Sequence, residues 1–318
     1  MNFGIYRKNQ KHKKDERMDE RKGYIGGSDI AAVMGLSRWK TPLRVWAEKT
    51  GNILPEDLSD KEYVQLGSEL EDFIAKKFEK VSGIKVRRSP QRYVSKEYPY
   101  MACQVDRLVT GTDELCECKN VSAWKAKEWE KEEIPIEYIL QVSWQLMITG
   151  RKIGYIAALI GGNSFRFKKI EADQELFDKM TEAAKNFWRM VEDKTPPAAC
   201  ADDNEALFTL YPKSNEQIQA VEEMNDCVAT LQKTKADIKE LEALQETLEA
   251  KLKDVIKGNL GIKTKEYIVK WQPQTTSRLS YDALKEDGLY EKYLVKTDTR
   301  VLRVSKNKEN ENDTNRKS

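Results

Sequence analysis

Histidine is almost absent from this sequence of 318 residues, which contains only His12. Histidine is the commonest general acid or base and a frequent metal ligand, so its scarcity argues against histidine-based hydrolases and histidine-rich metal sites. The five cysteines are odd in number, and none stands in Cys-x2-Cys spacing. This pattern argues against a disulfide framework and against a structural zinc site. Hydrolytic chemistry in this chain is therefore expected to depend on carboxylates and lysine.

Long apolar runs are also missing. No run approaches the roughly 18 residues that span a bilayer, and the amino-terminal stretch MNFGIYRKNQKHKKDERMDER has no apolar signal core. We therefore expect a cytoplasmic protein with no membrane partner. The net charge is only +2 although 34% of residues are charged. A nucleic-acid partner would have to be held by a local basic patch rather than by a generally basic protein.

Glycine, proline and charge-rich stretches divide the chain into six parts. Both ends are polar and of mixed charge, which is typical of loosely attached tails. The expected parts are a flexible basic arm (1–22), a main domain (23–200), a linker (201–214), a long helix or coiled coil (215–258), a small α+β module (259–305) and a disordered tail (306–318).

The main domain is predicted to be an α/β (α+β) core with helices on both sides of a sheet. Helices are indicated in IGGSDIAAVMGLSRWKTPLRVWAEKTG, in KEYVQLGSELEDFIAKKFEKVSG, in IPIEYILQVSWQLMITG and over 174–192. Strands are indicated in GIKVRRSPQRYVS, YMACQVDRLV, ELCECKNV, KIGYIAALIGG and SFRFKKIEA. In the second helical stretch the expected apolar stripe consists of Val64, Leu70, Phe73, Ile74 and Phe78.

Between Pro212 and Gly258 no glycine or proline interrupts the chain, which predicts one long helix. Apolar residues recur there on a seven-residue step that is broken by Gln245. The two seams are Met224, Leu231, Ile238 and Leu252, and Leu241, Leu248 and Val255. A coiled coil and an amphipathic helix folded back on its own domain both fit this pattern.

The stretch CQVDRLVTGTDELCECKN carries charges inside two apolar runs joined by a Gly-Thr-Asp turn. Side chains alternate faces along a strand, so Glu117 and Lys119 should share one face while the neighbouring cysteines pack on the other. Asp106, expected near the middle of the preceding strand, can meet Glu117 across the hairpin. Two carboxylates, with the Cys118 main-chain carbonyl, would suit Mg²⁺ and the activation of a water against a phosphodiester. Lys119 would orient that water or neutralise the phosphate, with a pKa either lowered by desolvation or kept high by the carboxylates.

The Glu-x-Lys triplet alone is weak evidence, because it also begins at Glu20, Glu192 and Glu249. Only the Glu117 copy lies in an apolar strand that follows an Asp-bearing strand. The alternative interpretation is a satisfied buried ion pair.

Asp106, followed after ten residues by Glu117-Cys118-Lys119, matches the PD-(D/E)xK nuclease signature. Together with IGGSDIAAVMGLSRWKTPLRVWAEKTG, LGSELED, YMACQVDRLV and PIEYILQVSWQLMITG, it resembles the YqaJ-type phage recombinase nucleases, which are relatives of lambda exonuclease. The resemblance covers about residues 21 to 195 and implies a restriction-endonuclease-like core with a mixed central sheet. It also implies metal ligation by Asp106 and Glu117, a catalytic Lys119, and a helix carboxylate, Glu71, that completes the metal site.

A polar stripe is expected on the helix that follows this hairpin. Tyr138, Gln141 and Gln145 stand at i, i+3 and i+7, so they share one side of the helix. The resemblance implies that Gln141 faces the active site, and Tyr138 and Gln145 are candidate DNA contacts. Ordinary hydrogen bonding to a neighbouring loop is the alternative.

Ser28 and Asp29 precede an apolar helix, a composition typical of an N-cap and of an anion site. The resemblance implies a pocket for the 5′-phosphate of DNA, with Arg21 seven residues ahead of Ser28.

Further along the chain, Arg87, Arg88 and Arg92 could bind phosphates nonspecifically, although a solvated edge strand explains them equally well. The tryptophans Trp39, Trp124 and Trp129 could stack on bases, but packing in a core is the commoner role.

The activity that the resemblance implies is a Mg²⁺-dependent DNA exonuclease, with Mn²⁺ as a possible substitute. It would resect double-stranded DNA ends 5′ to 3′ for recombination by single-strand annealing. The implied partners are double-stranded DNA ends, a single-strand annealing protein and further copies of the chain. An endonuclease of the same superfamily and a noncatalytic DNA-binding or coiled-coil adaptor remain the alternatives.

Overall fold

The computed structural model describes residues 20–129, 134–215, 217–296 and 300–305. The chain forms two compact units, Met1–Pro212 and Lys213–Ser318. His12 lies outside the described residues, as do most of the basic arm and the tail.

Nine strands and nine helices of the described residues are named here in chain order. The helices are α1 (Ile30–Val33), α2 (Pro42–Lys49), α3 (Glu62–Ser82), α4 (Ile136–Thr149), α5 (Gln174–Glu192), α6 (Asn204–Leu210), α7 (Asn225–Ile256), α8 (Tyr281–Glu286) and α9 (Tyr290–Tyr293). The strands are β1 (Val86–Arg88), β2 (Arg92–Val94), β3 (Ala102–Gln104), β4 (Arg107–Val109), β5 (Glu114–Val121), β6 (Ile153–Ile160), β7 (Ser164–Glu171), β8 (Gly261–Lys263) and β9 (Ile268–Lys270).

The central sheet of the first unit has the order β1-β4-β5-β6-β7. Neighbouring strands are antiparallel except for β5 and β6, which run parallel. A parallel pair needs a crossover connection, and α4 lies on it. The predicted α/β core with a mixed central sheet is confirmed.

Helices cover both faces of this sheet. Leu115 of β5 belongs to the larger core, which includes residues of α1, α2, α4 and α5. Its neighbour Cys116 belongs to a second core with Ile74 and Phe78 of α3. The predicted alternation along β5 is therefore confirmed, because consecutive side chains pack on opposite faces.

The predicted apolar stripe of α3 was wrong at Phe73, which is 52% exposed. Leu70, Ile74 and Phe78 pack against the sheet at intervals of four residues. Phe73 lies one residue, and so about 100°, away from this line around the helix. The helix ends at Gly83, whose φ of +76° is left-handed and suits glycine.

Two stretches that were each predicted as one strand are divided in the structure. Pro90 lies between β1 and β2, which belong to different sheets. Likewise β3 pairs with β2 in a two-stranded sheet, while β4 joins the central sheet. Asp106 lies at the bend between β3 and β4, so the expectation that it sits near the middle of a strand was wrong.

The second unit consists of α7, the antiparallel pair β8 and β9, and the short helices α8 and α9. The long helix begins at Asn225, ten residues later than position 215, after a 3-10 turn at Glu222–Met224. Among the described residues, none of the helices is long and apolar enough to cross a membrane.

Candidate active site

The side chains of Glu117 and Lys119 meet on one face of β5. Lys119 Nζ lies 2.8 Å from Glu117 Oε1 and 2.9 Å from Gln141 Oε1. Glu117 is only 4% exposed. Burial lowers the pKa of Lys119, but the charges of Glu117 and Asp106 outweigh it, and the pKa is raised. Of the two states predicted for this lysine, the structure favours the charged one.

Glutamines from α4 complete the hydrogen bonding of Glu117. Gln141 Nε2 donates to Glu117 Oε1, and Gln145 Nε2 donates to Glu117 Oε2 at 2.7 Å. Gln145 also donates to the main-chain carbonyl of Gln104 at 3.0 Å. The polar stripe of α4 therefore points at the carboxylate of β5, which holds that carboxylate in one orientation.

Asp106 lies beside this network. Its Oδ2 accepts the main-chain N–H of Cys118 at 2.9 Å. Burial, and then the charges of Glu117 and Glu71, raise the pKa of Asp106 to about 8. In the described part of the chain Asp106 has no ion pair, and Lys119, whose charge acts to lower the pKa of Asp106, is bonded to Glu117.

Arg107 is a residue of this site that the sequence analysis missed. Its guanidinium is buried and donates to Glu71, to the main-chain carbonyl of Asp106 at 2.7 Å and to Asp72 at 2.6 Å. It thereby ties α3 to the bend that carries Asp106. The available signal was a second charge next to Asp106 in the apolar stretch VDRLV.

The donor set suits a hard divalent cation. Carboxylate oxygens are the ligands that Mg²⁺ prefers, and a bound cation would lower the pKa of Asp106, which burial and then the charges of Glu117 and Glu71 raise. In the described residues, however, no three Asp, Glu, His or Cys side chains are gathered closely enough to hold a metal. Glu71 is turned toward Arg107. The residues that could hold the ion are therefore Asp106 and Glu117, and Glu71 would have to leave Arg107 to join them. The metal role of the Cys118 carbonyl stays a prediction.

The structure brings Arg21 and Ser28 together, with Arg21 donating to Ser28 Oγ at 3.1 Å. Ser28 is not the N-cap of α1: Asp29 holds that position without a side-chain capping bond. Asp29 instead accepts the Gly26 N–H at 3.1 Å and pairs with the buried ammonium of Lys49 at 2.8 Å. The Ser28 hydroxyl and the Arg21 guanidinium therefore lie together, next to a turn that the contacts of Asp29 stabilise.

The predicted arginine contacts lie elsewhere. Arg87 and Arg88 are exposed on β1, the edge strand of the central sheet. Arg88 already pairs with Asp72 at 2.6 Å, which favours the solvated-edge interpretation for this residue. Arg92 lies 3.3 Å from Glu20.

Tyr138 connects the site to a group of aromatic rings. Lys119 Nζ lies 5.6 Å from the centre of the Tyr138 ring. That ring lies 5.8 Å from buried Trp129 and 5.9 Å from the half-exposed Trp39. Trp124 is exposed and is absent from these contacts. A role of these rings in binding DNA stays a prediction.

This chain is similar in sequence to one known protein family and in structure to two exonucleases. The model of the YqaJ-like viral recombinase domain matches residues 18–152. The uncharacterized protein YqaJ of Bacillus subtilis (strain 168) is 35% identical over 94% of this chain and 96% of its own length. An alkaline exonuclease from Laribacter hongkongensis, 19% identical, aligns over 57% of this chain and 94% of its own with a TM-score of 0.49. A phage related exonuclease from Haemophilus somnus 129PT, 15% identical, aligns over 54% and 96% with a TM-score of 0.38. Identity to YqaJ over nearly the whole chain, together with the domain match over the residues that carry the site, shows that this protein belongs to the YqaJ family of viral-type recombinases.

Proposed function

We propose that this protein is a Mg²⁺-dependent deoxyribonuclease that resects double-stranded DNA ends in the 5′ to 3′ direction. Mn²⁺ would substitute for Mg²⁺, and the single strand left behind would serve a single-strand annealing protein. The observation that carries the proposal is the network in which Lys119, Gln141 and Gln145 all bond to the buried Glu117. Ordering these polar side chains and removing water from them are both unfavourable. Buried polar networks of this kind are typical of catalytic sites.

Each residue of the candidate site has its own role in the proposed hydrolysis. The divalent ion, when bound, would supply a water activated for attack on the phosphodiester and neutralise charge on the phosphate. Asp106 and Glu117 would hold it, and Gln141 and Gln145 would keep Glu117 in place. Lys119, which remains an ammonium because its pKa is raised, would stabilise charge that develops on the phosphate.

Arg21 and Ser28 support recognition of the 5′-phosphate. A guanidinium and a hydroxyl at 3.1 Å from one another offer converging donors to a terminal phosphate. Preference for a phosphorylated 5′ end would fix the polarity of resection. Self-association is also part of the proposal, because α7 leaves a row of apolar side chains exposed.

Digestion of linear and closed circular duplex DNA tests the proposal. The linear DNA carries 5′-phosphate or 5′-hydroxyl ends, and each reaction is run with Mg²⁺ or EDTA. We expect Mg²⁺-dependent loss of the linear duplex alone, faster with 5′-phosphate ends, and loss of activity of at least about 100-fold in Lys119→Ala, as for other charge-stabilising donors.

The matched control is Lys251→Ala, which removes the lysine of another Glu-x-Lys triplet, one that lies on the exposed surface of α7. It should leave activity unchanged. Cleavage of the circle would favour an endonuclease instead, and DNA binding without cleavage would favour an adaptor.

A further inference from the structure

The helix α7 is 32 residues long, and Ile256 at its end is its only buried residue. Its large apolar side chains are exposed at positions spread over the whole length: Val228, Ile238, Leu241, Leu244, Leu248, Leu252 and Val255. A continuous exposed apolar row of this kind marks an interaction surface.

Five of these seven residues, Ile238, Leu241, Leu248, Leu252 and Val255, have the spacing of a coiled-coil seam, and Val228 and Leu244 flank it. With seven positions named a to g, Met224, Leu231, Ile238, Gln245 and Leu252 occupy position a, and Cys227, Thr234, Leu241, Leu248 and Val255 occupy position d. Four alanines, Ala229, Ala236, Ala243 and Ala250, occupy position f on the opposite side. The seam extends over more than the three to four heptads that distinguish a coiled coil from a short amphipathic helix.

We propose that α7 pairs with α7 of a second copy of this chain as an antiparallel two-stranded coiled coil. One register sets Ile238 opposite Leu241 of the second copy and Met224 opposite Val255, so that the helices overlap along nearly their whole length. The same register sets Gln245 opposite Thr234, where an amide and a hydroxyl can bond to each other. A shift by one heptad would set Gln245 against Leu241 or Cys227 and leave a heptad of each helix unpaired.

Charges beside the seam select the antiparallel orientation. In a parallel dimer Asp237 at position g would face Glu242 at position e of the other helix, and this repulsion would occur on both sides. In the antiparallel register Lys235 faces Glu242 instead, twice by symmetry. Each of these three side chains is exposed in the isolated chain and available for such pairing.

Native Cys227 distinguishes the two orientations. A parallel dimer in register sets Cys227 opposite its own copy, while the antiparallel dimer sets it opposite Leu252. Facing positions of the seam are close enough for a disulfide, whose Cα atoms are commonly about 5.5–6 Å apart. Cys227 is exposed, and the other exposed cysteine, Cys200, can be replaced by serine.

Cross-linking of the full-length chain tests the proposal. Three proteins in the Cys200→Ser background are oxidised gently at micromolar concentration and compared on a non-reducing gel: the parent, Leu252→Cys, and Ala250→Cys as the control at position f. We expect most of the Leu252→Cys protein to become a covalent dimer, at least ten times more than in the other two.

Cross-linking of the parent would overturn the antiparallel orientation. Equal cross-linking in Leu252→Cys and Ala250→Cys, or none in Leu252→Cys, would overturn the pairing itself. Light scattering gives a test that does not depend on disulfide formation. Ile238→Glu at the centre of the seam should halve the molar mass in solution, and Ala243→Glu on the outer side should leave it unchanged. An unchanged mass in Ile238→Glu would count against the seam.

Discussion

Arg107 of β4 and Glu71 of α3 are joined by a hydrogen-bonded ion pair at the edge of the candidate site. The side chain of Arg107 is 4% exposed and that of Glu71 is 32% exposed. This pair has two consequences. It anchors the helix to the bend that carries Asp106, and it holds Glu71 away from the position that metal ligation would need.

Replacement of Arg107 is therefore expected to destabilise the fold. In Arg107→Met the carboxylates of Glu71 and Asp72 lose their buried partner. We expect the free energy of unfolding to fall by on the order of 2–3 kcal/mol. This is less than for a fully buried ion pair, because both acids reach solvent. Urea unfolding in EDTA measures it. Arg88→Met, which removes the exposed partner of Asp72, is the control and should change little. Equal losses in both variants would contradict this account.

In the absence of metal, the carboxyl of Asp106 should make the free energy of unfolding fall as pH rises. Its pKa is raised to about 8 in the folded chain, against about 3.9 in an unfolded one. The folded state thus binds this proton more tightly, and the resulting stabilisation is fully present below about pH 4 and lost as pH rises through about 8.

Asp106→Asn should remove this dependence. In EDTA at pH 9 the variant is expected to melt several degrees higher than the parent, at about 2–4 °C per kcal/mol for a unit of the size of Met1–Pro212. At pH 4 the difference should vanish. A melting temperature that is lower for Asp106→Asn at pH 9 would refute the assignment.

Binding of Mg²⁺ should displace the same proton. A metal ligand must be deprotonated, so affinity is expected to weaken about tenfold for each pH unit below 8. Calorimetry in two buffers with different ionisation enthalpies measures the protons released, and Asp106→Asn should show no Mg²⁺ binding in the same range. Binding that is independent of pH between 6 and 8 would exclude Asp106 as a ligand.

Arg21 should distinguish between DNA ends. Arg21→Ala is expected to raise KM for 5′-phosphorylated duplex about tenfold, the usual cost of a lost charge-assisted hydrogen bond of roughly 1.4 kcal/mol or more. Digestion of 5′-hydroxyl duplex should be nearly unaffected. Arg87→Ala, at an exposed edge strand, serves as the control for general loss of positive charge. A similar KM increase for both kinds of end would show that Arg21 binds the DNA backbone rather than the terminal phosphate.

The periodicity of the sequence was sufficient to place the helices and to set Glu117 and Lys119 on one face of a strand, because alternation and helical spacing are local properties. The mixed sheet followed only from the motif resemblance. The same local patterns placed Gln141 and Gln145 on one side of α4. Motif resemblance added the family, which identity to YqaJ over nearly the whole chain then showed.

Only the tertiary structure decided the contacts between segments that are distant in the sequence. The bond from Gln145 to Glu117 joins residues 28 apart, and the bond from Arg107 to Glu71 joins residues 36 apart. Both depend on the order of strands in the sheet and on the change of sheet at Asp106, which no local pattern of polar and apolar residues encodes. By itself the sequence determined which side chains could carry the chemistry and on which face of each element they stand. The packing of α3 and α4 against β4 and β5 decided the partner of each charge, because buried charges are stable only where the folded chain supplies a partner of opposite sign or a hydrogen bond.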